Sequence, residues 1–239
     1  MQFSFRTFTG RHQFVCDTIK GRALRFLDVG NLGDGASSNL RLKAEVEKAG
    51  GTYTGLDSNT ALTLSLKLPN QVVGDLHAAP FEDNTFDAIY AGEIIEHTWT
   101  PAKMITECHR ILKPGGLLIL DTPNPYSITS ILNFLLRKES NMGDNRTLTY
   151  EEAKGALQKL AEGGQTLLQP QHKIFFTPAM LKQMLETHGF LLESMGVTAK
   201  TGSFFARFLL WLFPHAGSHL CVVAKKATID EAFADILSH

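Results

Sequence analysis

The stretch Phe26–Gly35, FLDVGNLGDG, restricts the possible folds of this chain more than any other. An apolar run of Phe26, Leu27 and Val29, interrupted by Asp28, breaks into three glycines at Gly30, Gly33 and Gly35. A helical pattern follows from Ser37 to Ala49, with Leu40, Leu42, Val46 and Ala49 among charges, and Gly50-Gly51 stops it. Strand, glycine turn and helix in this order open a parallel α/β sheet. Glycine suits the turn because a Cβ would obstruct both the sharp bend and the approach of a ligand.

The pattern then repeats. Strands are expected at Arg25–Val29, Thr52–Leu56, Gln71–Gly74, Phe86–Ala91 and Leu117–Leu120. A weak helix is expected at Thr60–Leu68. Another opens with Thr100 as cap and Pro101 in first position, and carries Met104, Ile105, Cys108, Ile111 and Leu112 on one stripe. Lys113-Pro114-Gly115-Gly116 is expected to end it. Five strand units within about 100 residues imply a parallel sheet covered on both faces. Ligands on such sheets bind outside the carboxyl ends of the strands. Glycines 30, 33 and 35 with Asp57, Asp75, Glu93 and Asp121 all fall at those ends. Asp57, closing the second strand, suits a ribose, because a carboxylate accepts from both vicinal hydroxyls.

The flanks are less regular. Residues 1 to 24 read as a lead-in, with a short helix over Gly10–Ile19. Arg11 and His12 on it read as a solvated face, with a ligand carboxylate as the alternative. After Asp121 come an extended Thr122-Pro123-Asn124-Pro125 loop, an apolar helix over Ser127–Leu136, and a polar stretch. Thr149 and Glu152 form a capping-box pattern, and Thr177-Pro178 opens a helix ending at Gly189. Further strands are expected at Phe190–Thr198 and His219–Ala224, and Thr228 with Glu231 could cap a last helix. Residues 203–213 hold a second apolar insertion. At about ten residues, each insertion is short of the roughly 20 needed to span a bilayer. Such stretches suit lid packing, an apolar substrate pocket or a membrane surface.

Composition removes some classes. The 239 residues suit a single domain with decorations. Lys plus Arg is 23 against 24 for Asp plus Glu, which argues against nucleic acid as a partner. Three separated cysteines suggest neither a disulfide framework nor a zinc cluster, and fit a reducing, cytoplasmic setting. The N-terminus shows no signal-peptide pattern.

The segments FLDVGNLGDG, TGLDSN, VVGDLHAAPFEDNTFDAIYAGEIIEH and ECHRILKPGGLLIL together resemble the class I S-adenosylmethionine-dependent methyltransferases, in particular the ubiquinone-biosynthesis O-methyltransferase-like, methyltransferase type 11 group. The match is good over Ala23–Leu120 and extends to Phe176–Ala224. It implies a Rossmann-like, seven-stranded, mostly parallel sheet with helices on both faces, an antiparallel last strand and helical lid insertions. It further implies a cofactor core at 23–121, a helical lid at 122–176 and the end of the sheet at 177–239. By resemblance, Asp28, Gly30, Asn31 and Gly33 face the methionine and ribose of S-adenosylmethionine. Asp57 with Ser58 holds the ribose, Asp75 and Leu76 meet the adenine, Ala91 offers its carbonyl to the cofactor amine, and Glu93 lines the same rim. The glycine pattern departs from the family: its first leg is one residue longer, Gly30-x-x-Gly33-x-Gly35.

Glu93, Glu96 and His97 match an E-x-x-E-H site of ubiquinone-pathway and small-RNA terminal O-methyltransferases. If the segment coils, its spacing puts all three on one helix face, where carboxylates and imidazole suit a divalent ion such as Mg or Zn. His172 could complete that set, and His97 and His172 are then the catalytic candidates. The implied reaction is methyl transfer to a small-molecule or lipid-like acceptor, foremost at oxygen, with peripheral membrane contact among the expectations. Transfer to nitrogen or carbon, a nicotinamide-dependent oxidoreductase and a non-catalytic cofactor-binding module are the alternatives. The oxidoreductase expects G-x-G-x-x-G, whereas this chain has G-x-x-G-x-G.

Overall fold

A computed structural model describes residues 5–32, 37–136, 174–198 and 215–231. Its centre is one eight-stranded sheet. The strands are β1 (Phe5–Phe8), β2 (Arg25–Val29), β3 (Thr52–Asp57), β4 (Gln71–Val73), β5 (Phe86–Gly92), β6 (Leu112–Pro123), β7 (Phe190–Thr198) and β8 (His219–Lys226). Their order across the sheet is β1-β7-β8-β6-β5-β2-β3-β4. Only β8 runs antiparallel to its neighbours, β6 and β7. The order reverses between β2 and β5, where β2 pairs with β3 on one side and β5 on the other. That reversal leaves a crevice at the carboxyl rim, the place where open α/β sheets bind ligands.

The helices are α1 (Arg11–Ile19), α2 (Ser37–Lys48), α3 (Thr60–Leu66), α4 (Pro101–Ile111), α5 (Ile128–Leu135) and α6 (Pro178–Thr187). Strand alternation sorts the core into two faces. Leu27, Val29, Ile89, Ala91, Leu118 and Leu120 point to one, under Met104, Ile105, Cys108 and Ile111 of α4 and Leu181 and Leu185 of α6. Phe26, Tyr53, Ala88, Tyr90, Leu117 and Ile119 point to the other, under Phe14, Val15 and Ile19 of α1 and Leu42 and Val46 of α2.

All seven expected strands are present. The lead-in supplies the eighth, β1, which pairs in parallel with β7 through Phe5–Met195 to Phe8–Thr198. Its four residues lack a turn signal or alternation long enough to be read from sequence. Strand β6 also begins earlier than expected, with Lys113 to Gly116 inside it, because Leu112 already pairs with Phe86 across a register shift. Thr100 occupies the N-cap of α4 without a side-chain hydrogen bond, whereas Ser127 caps α5 through Ser130 N–H and Thr177 caps α6 through Met180 N–H. Thr228 and Glu231 exchange the expected capping bonds. The Thr149 capping box, most of the 122–176 insertion and the 203–213 stretch lie outside the described residues.

Phe14 packs against Phe8, the rings tilted by 50° with centroids 4.6 Å apart, and is 2% exposed. The lead-in is thus core. Phe14→Ala is expected to lower stability by about 3–5 kcal/mol in urea unfolding; a loss below about 1 kcal/mol would mean the lead-in is peripheral.

Candidate cofactor site at the carboxyl rim

Strand β2 ends at Val29 and the chain turns at Gly30, whose φ of +66° is left-handed. A Cβ there would lie 2.2 Å from the Cδ1 of Ile94, which roofs the turn. The next two residues fold back onto the sheet. Asn31 exchanges two amide hydrogen bonds with Gln71 of β4, both at 2.8 Å. The pair passes over Gly55 of β3, where a Cβ would meet the Gln71 Oε1 at 2.2 Å and the Asn31 Nδ2 at 2.4 Å. Leu32 is buried, and its N–H donates to Asp57 Oδ2 at 3.0 Å. The extra residue in the glycine loop therefore supplies a clasp. Gly33 and Gly35 lie outside the described residues.

Asp57 sits at the end of β3, buried, with Oδ1 accepting from the Asn59 N–H at 2.8 Å. Each oxygen keeps a lone pair for a ribose hydroxyl. Ser58 beside it is exposed. Asp75 begins the turn after β4, Leu76 is buried next to it, and Ala91 is fully buried where β5 pairs with Val29 and Leu120. The rim thus gathers Gly30, Asn31, Asp57, Asp75, Ala91 and Glu93 from the ends of β3 and β5 and the loops after β2, β4 and β5.

Asp28 behaves differently from the other acids. It lies one residue inside the strand end, 1% exposed, and accepts from the Tyr53 hydroxyl at 2.7 Å. Burial pushes its pKa up to about 7, against the pull of that hydrogen bond. It is part of the floor under the rim.

Glu93 has a left-handed φ of 52°. This turn aims its carboxylate at the Nε2 of His219, 2.9 Å away on β8, and at the Arg11 guanidinium. Arg11 also lies 3.4 Å from Asp121, whose other oxygen accepts from the Tyr90 hydroxyl at 2.6 Å. Arg11 thus faces inward, and the expected solvated face is corrected. The sequence offered no signal for this, because only the tertiary fold brings residue 11 to residues 93 and 121. Burial alone would raise Glu93, but the His219 bond and the Arg11 charge hold it down to about 2. Burial would lower the Arg11 pKa, but Asp121 and Glu93 raise it. Asp121, fully buried, is pushed up by desolvation despite Arg11.

The metal expectation rested on Glu93, Glu96 and His97 sharing a helix face. The left-handed Glu93 breaks that helix, and only Ile95–His97 coil, as one 3-10 turn. Glu93 goes to Arg11 and His219. Glu96 is buried against the Thr122 hydroxyl at 3.0 Å, and burial raises its pKa to about 8. His97 is half-buried on the same short turn. Among the described residues no three His, Cys, Asp or Glu side chains form a group able to hold a metal ion. His172 lies outside them. The described residues do not fit the metal.

Asp28 gives a stability test. Its native pKa lies above the ordinary value of 3.8, so between about pH 4 and pH 7 the folded state binds more protons than the unfolded chain. Its contribution is full below pH 4 and fades as pH rises through 7. Asp28→Asn removes the buried charge. Its stability relative to wild type is expected to rise from near parity at pH 4 by a few kcal/mol, to order of magnitude, at pH 8. A difference flat with pH in parallel denaturation series would rule this out.

Comparison with known proteins gives the same picture. Residues 27–120 match the family described as a methyltransferase domain. A probable S-adenosylmethionine-dependent methyltransferase of Mycolicibacterium smegmatis is 27% identical over 192 residues, covering 78% of this chain and 61% of that protein. The ubiquinone biosynthesis O-methyltransferase of Colwellia psychrerythraea is 31% identical over 125 residues, covering 48% of each. The chain thus spans about half to three-fifths of the length of these curated relatives. A solved S-adenosylmethionine-dependent methyltransferase from Mesorhizobium loti aligns with a TM-score of 0.58 at 18% identity, covering 90% of this chain and 98% of that one, and shows the shared fold. By sheet order, by the sequence of rim motifs and by the matched domain, residues 27–120 are similar to the class I S-adenosylmethionine-dependent methyltransferases.

Proposed function

We propose that this chain is an enzyme that binds S-adenosylmethionine at the carboxyl rim and transfers its methyl group to a small-molecule or lipid-like acceptor, foremost at oxygen. The observation that carries the proposal is the convergence of Gly30, Asp57, Asp75, Ala91 and Glu93 on one rim, at the reversal of strand order. In this reading Asp57 takes the ribose hydroxyls, Asp75 the adenine amino group and the Ala91 carbonyl the methionine amine. Arg11 offers a cation for the methionine carboxylate, held ready by Glu93 and Asp121. The sulfonium activates its own methyl group. The protein's part is then to align acceptor, methyl and sulfur and to exclude water. No metal belongs to the proposal.

The acceptor class rests on α5. Ser127 and Ser130 anchor its start, but Ile131, Leu132, Phe134, Leu135 and Leu136 are exposed, Phe134 by 79%. Such a run beside the rim suits an acceptor with an apolar tail, or the bilayer that holds one. Among the described residues no helix is long and apolar enough to cross a membrane.

Two measurements test this. S-adenosylhomocysteine is expected to bind in calorimetry, and Asp57→Ala to weaken it by about 100-fold, since two hydrogen bonds to a charged acceptor are lost. Unchanged affinity in the variant would remove Asp57 from the site. Phe134→Ser combined with Leu135→Ser is expected to leave that affinity within about twofold, while raising KM for a long-tailed phenol at least about tenfold over a short-tailed one. Equal effects on both acceptors would refute the apolar-tail reading.

A further inference from the structure

We propose that His77 is a positioning residue that sets the domain's preference for adenine over other purines, by fixing the Asp75 carboxylate and tying it to the loop beyond β5. The proposal rests on reading Asp75 as the adenine partner.

Asp75 Oδ1 accepts the His77 backbone N–H at 2.9 Å and lies 2.7 Å from the His77 Nδ1. On the other side of the ring, Nε2 is 2.5 Å from the Thr98 hydroxyl. Thr98 is buried, and its oxygen accepts the Thr100 N–H at 3.1 Å. An ionised carboxylate can only accept, so Nδ1 carries a hydrogen and donates it to Asp75. Nε2 pairs with the Thr98 hydroxyl, which also accepts the Thr100 N–H. The ring is thus held at both nitrogens, and one end of the relay is the carboxylate.

Both His77 donors converge on the same oxygen. Asp75 Oδ2 takes no hydrogen bond among the described residues, and the side chain is 67% exposed. The backbone and ring bonds also hold the carboxylate below the usual range for Asp, with burial opposing them and the Lys103 charge assisting. An oriented, ionised, acceptor-only oxygen is what an exocyclic amine needs. A purine with a carbonyl at that position would bring oxygen against oxygen. Without the two-point grip the carboxylate would rotate, and its discrimination would average out.

The same ring binds two loops together. Thr98 follows Glu96 and His97 directly. The purine loop after β4 and the loop after β5 therefore share one imidazole between a carboxylate and a buried hydroxyl. A base docked on Asp75 draws on the ordering of both.

The test compares S-adenosylhomocysteine with its 6-oxo analogue, S-inosylhomocysteine, by calorimetry on the full chain. Wild type is expected to favour the adenosyl ligand by about 30-fold or more. His77→Phe is expected to weaken the adenosyl ligand about tenfold and to change the inosyl ligand by less than about twofold, so that discrimination shrinks. His77→Asn keeps a donor near the Nδ1 position and is expected to restore most of the discrimination. Thr98→Val frees one end of the ring at constant volume and is expected to reduce discrimination by about threefold; it serves alone if His77→Phe does not fold. Weakening of both ligands by one factor, or of neither, would overturn the role of His77. A wild-type chain that binds both ligands equally would overturn it together with the adenine role of Asp75. A wild-type chain that binds neither would instead overturn the cofactor reading on which both rest.

Discussion

A parallel sheet covered on both faces must carry its binding groups at a rim that is already half buried, and here that rim is strongly acidic. Asp28, Asp57 and Asp121 lie at or just inside strand ends, and Glu93 and Glu96 lie in the loop after β5. Left unpaired, such a cluster would protonate or destabilise the fold. Arg11 meets this constraint. It enters from α1, touches Glu93 and Asp121, and with His219 holds Glu93 down while burial raises the more deeply buried Asp28 and Glu96. Burial raises the carboxyls of the rim, and at Glu93 the His219 bond and the Arg11 charge overcome it. Its position explains why the lead-in is built into the core through Phe14 and β1 instead of trailing from it.

The glycine loop shows how a small departure in spacing becomes structure. One added residue between the first two glycines would loosen a phosphate-type turn. Here the surplus is absorbed by the Asn31–Gln71 clasp over Gly55 and by the Leu32 N–H on Asp57. Both bonds tie the loop to β3 and β4, the strands that carry the expected ribose and adenine partners. The loop is therefore fastened to the groups with which it must cooperate.

Much of this was legible beforehand, for identifiable reasons. The five strands from Arg25 to Leu120 and the α4 stripe carry strong periodicity, bounded by glycine and proline, so their order and the rim positions of Asp57, Asp75 and Glu93 follow from local chemistry. What was not legible depends on long-range geometry. Nothing near Arg11 signals that Glu93 and Asp121 lie opposite it, and no propensity marks Phe5–Phe8 as an edge strand added to β7. The E-x-x-E-H spacing misled because it presumed a helix. A single left-handed residue, Glu93, turns three residues that a helix would align into three different environments. Motif spacing speaks only about the conformation it assumes.

The two halves of the rim also differ in how they are finished. Around β2, β3 and β4 nearly every polar group is held by another part of the same chain: Asn31 by Gln71, Asp57 by Leu32 and Asn59, Asp75 by His77. Such groups lose little freedom when a ligand arrives, which favours a fixed ligand of constant chemistry. Beyond β6 the chain instead presents α5, held among the described residues at its first turn, with large apolar side chains turned outward. Apolar contact is non-directional and tolerates variation in shape. A preorganised polar half beside an adaptable apolar half is what a domain needs when one ligand is always the same cofactor and the other is held chiefly by its hydrophobic bulk. The imidazole of His77, bonded to Asp75 after β4 and to Thr98 before α4, joins the loops that follow β4 and β5.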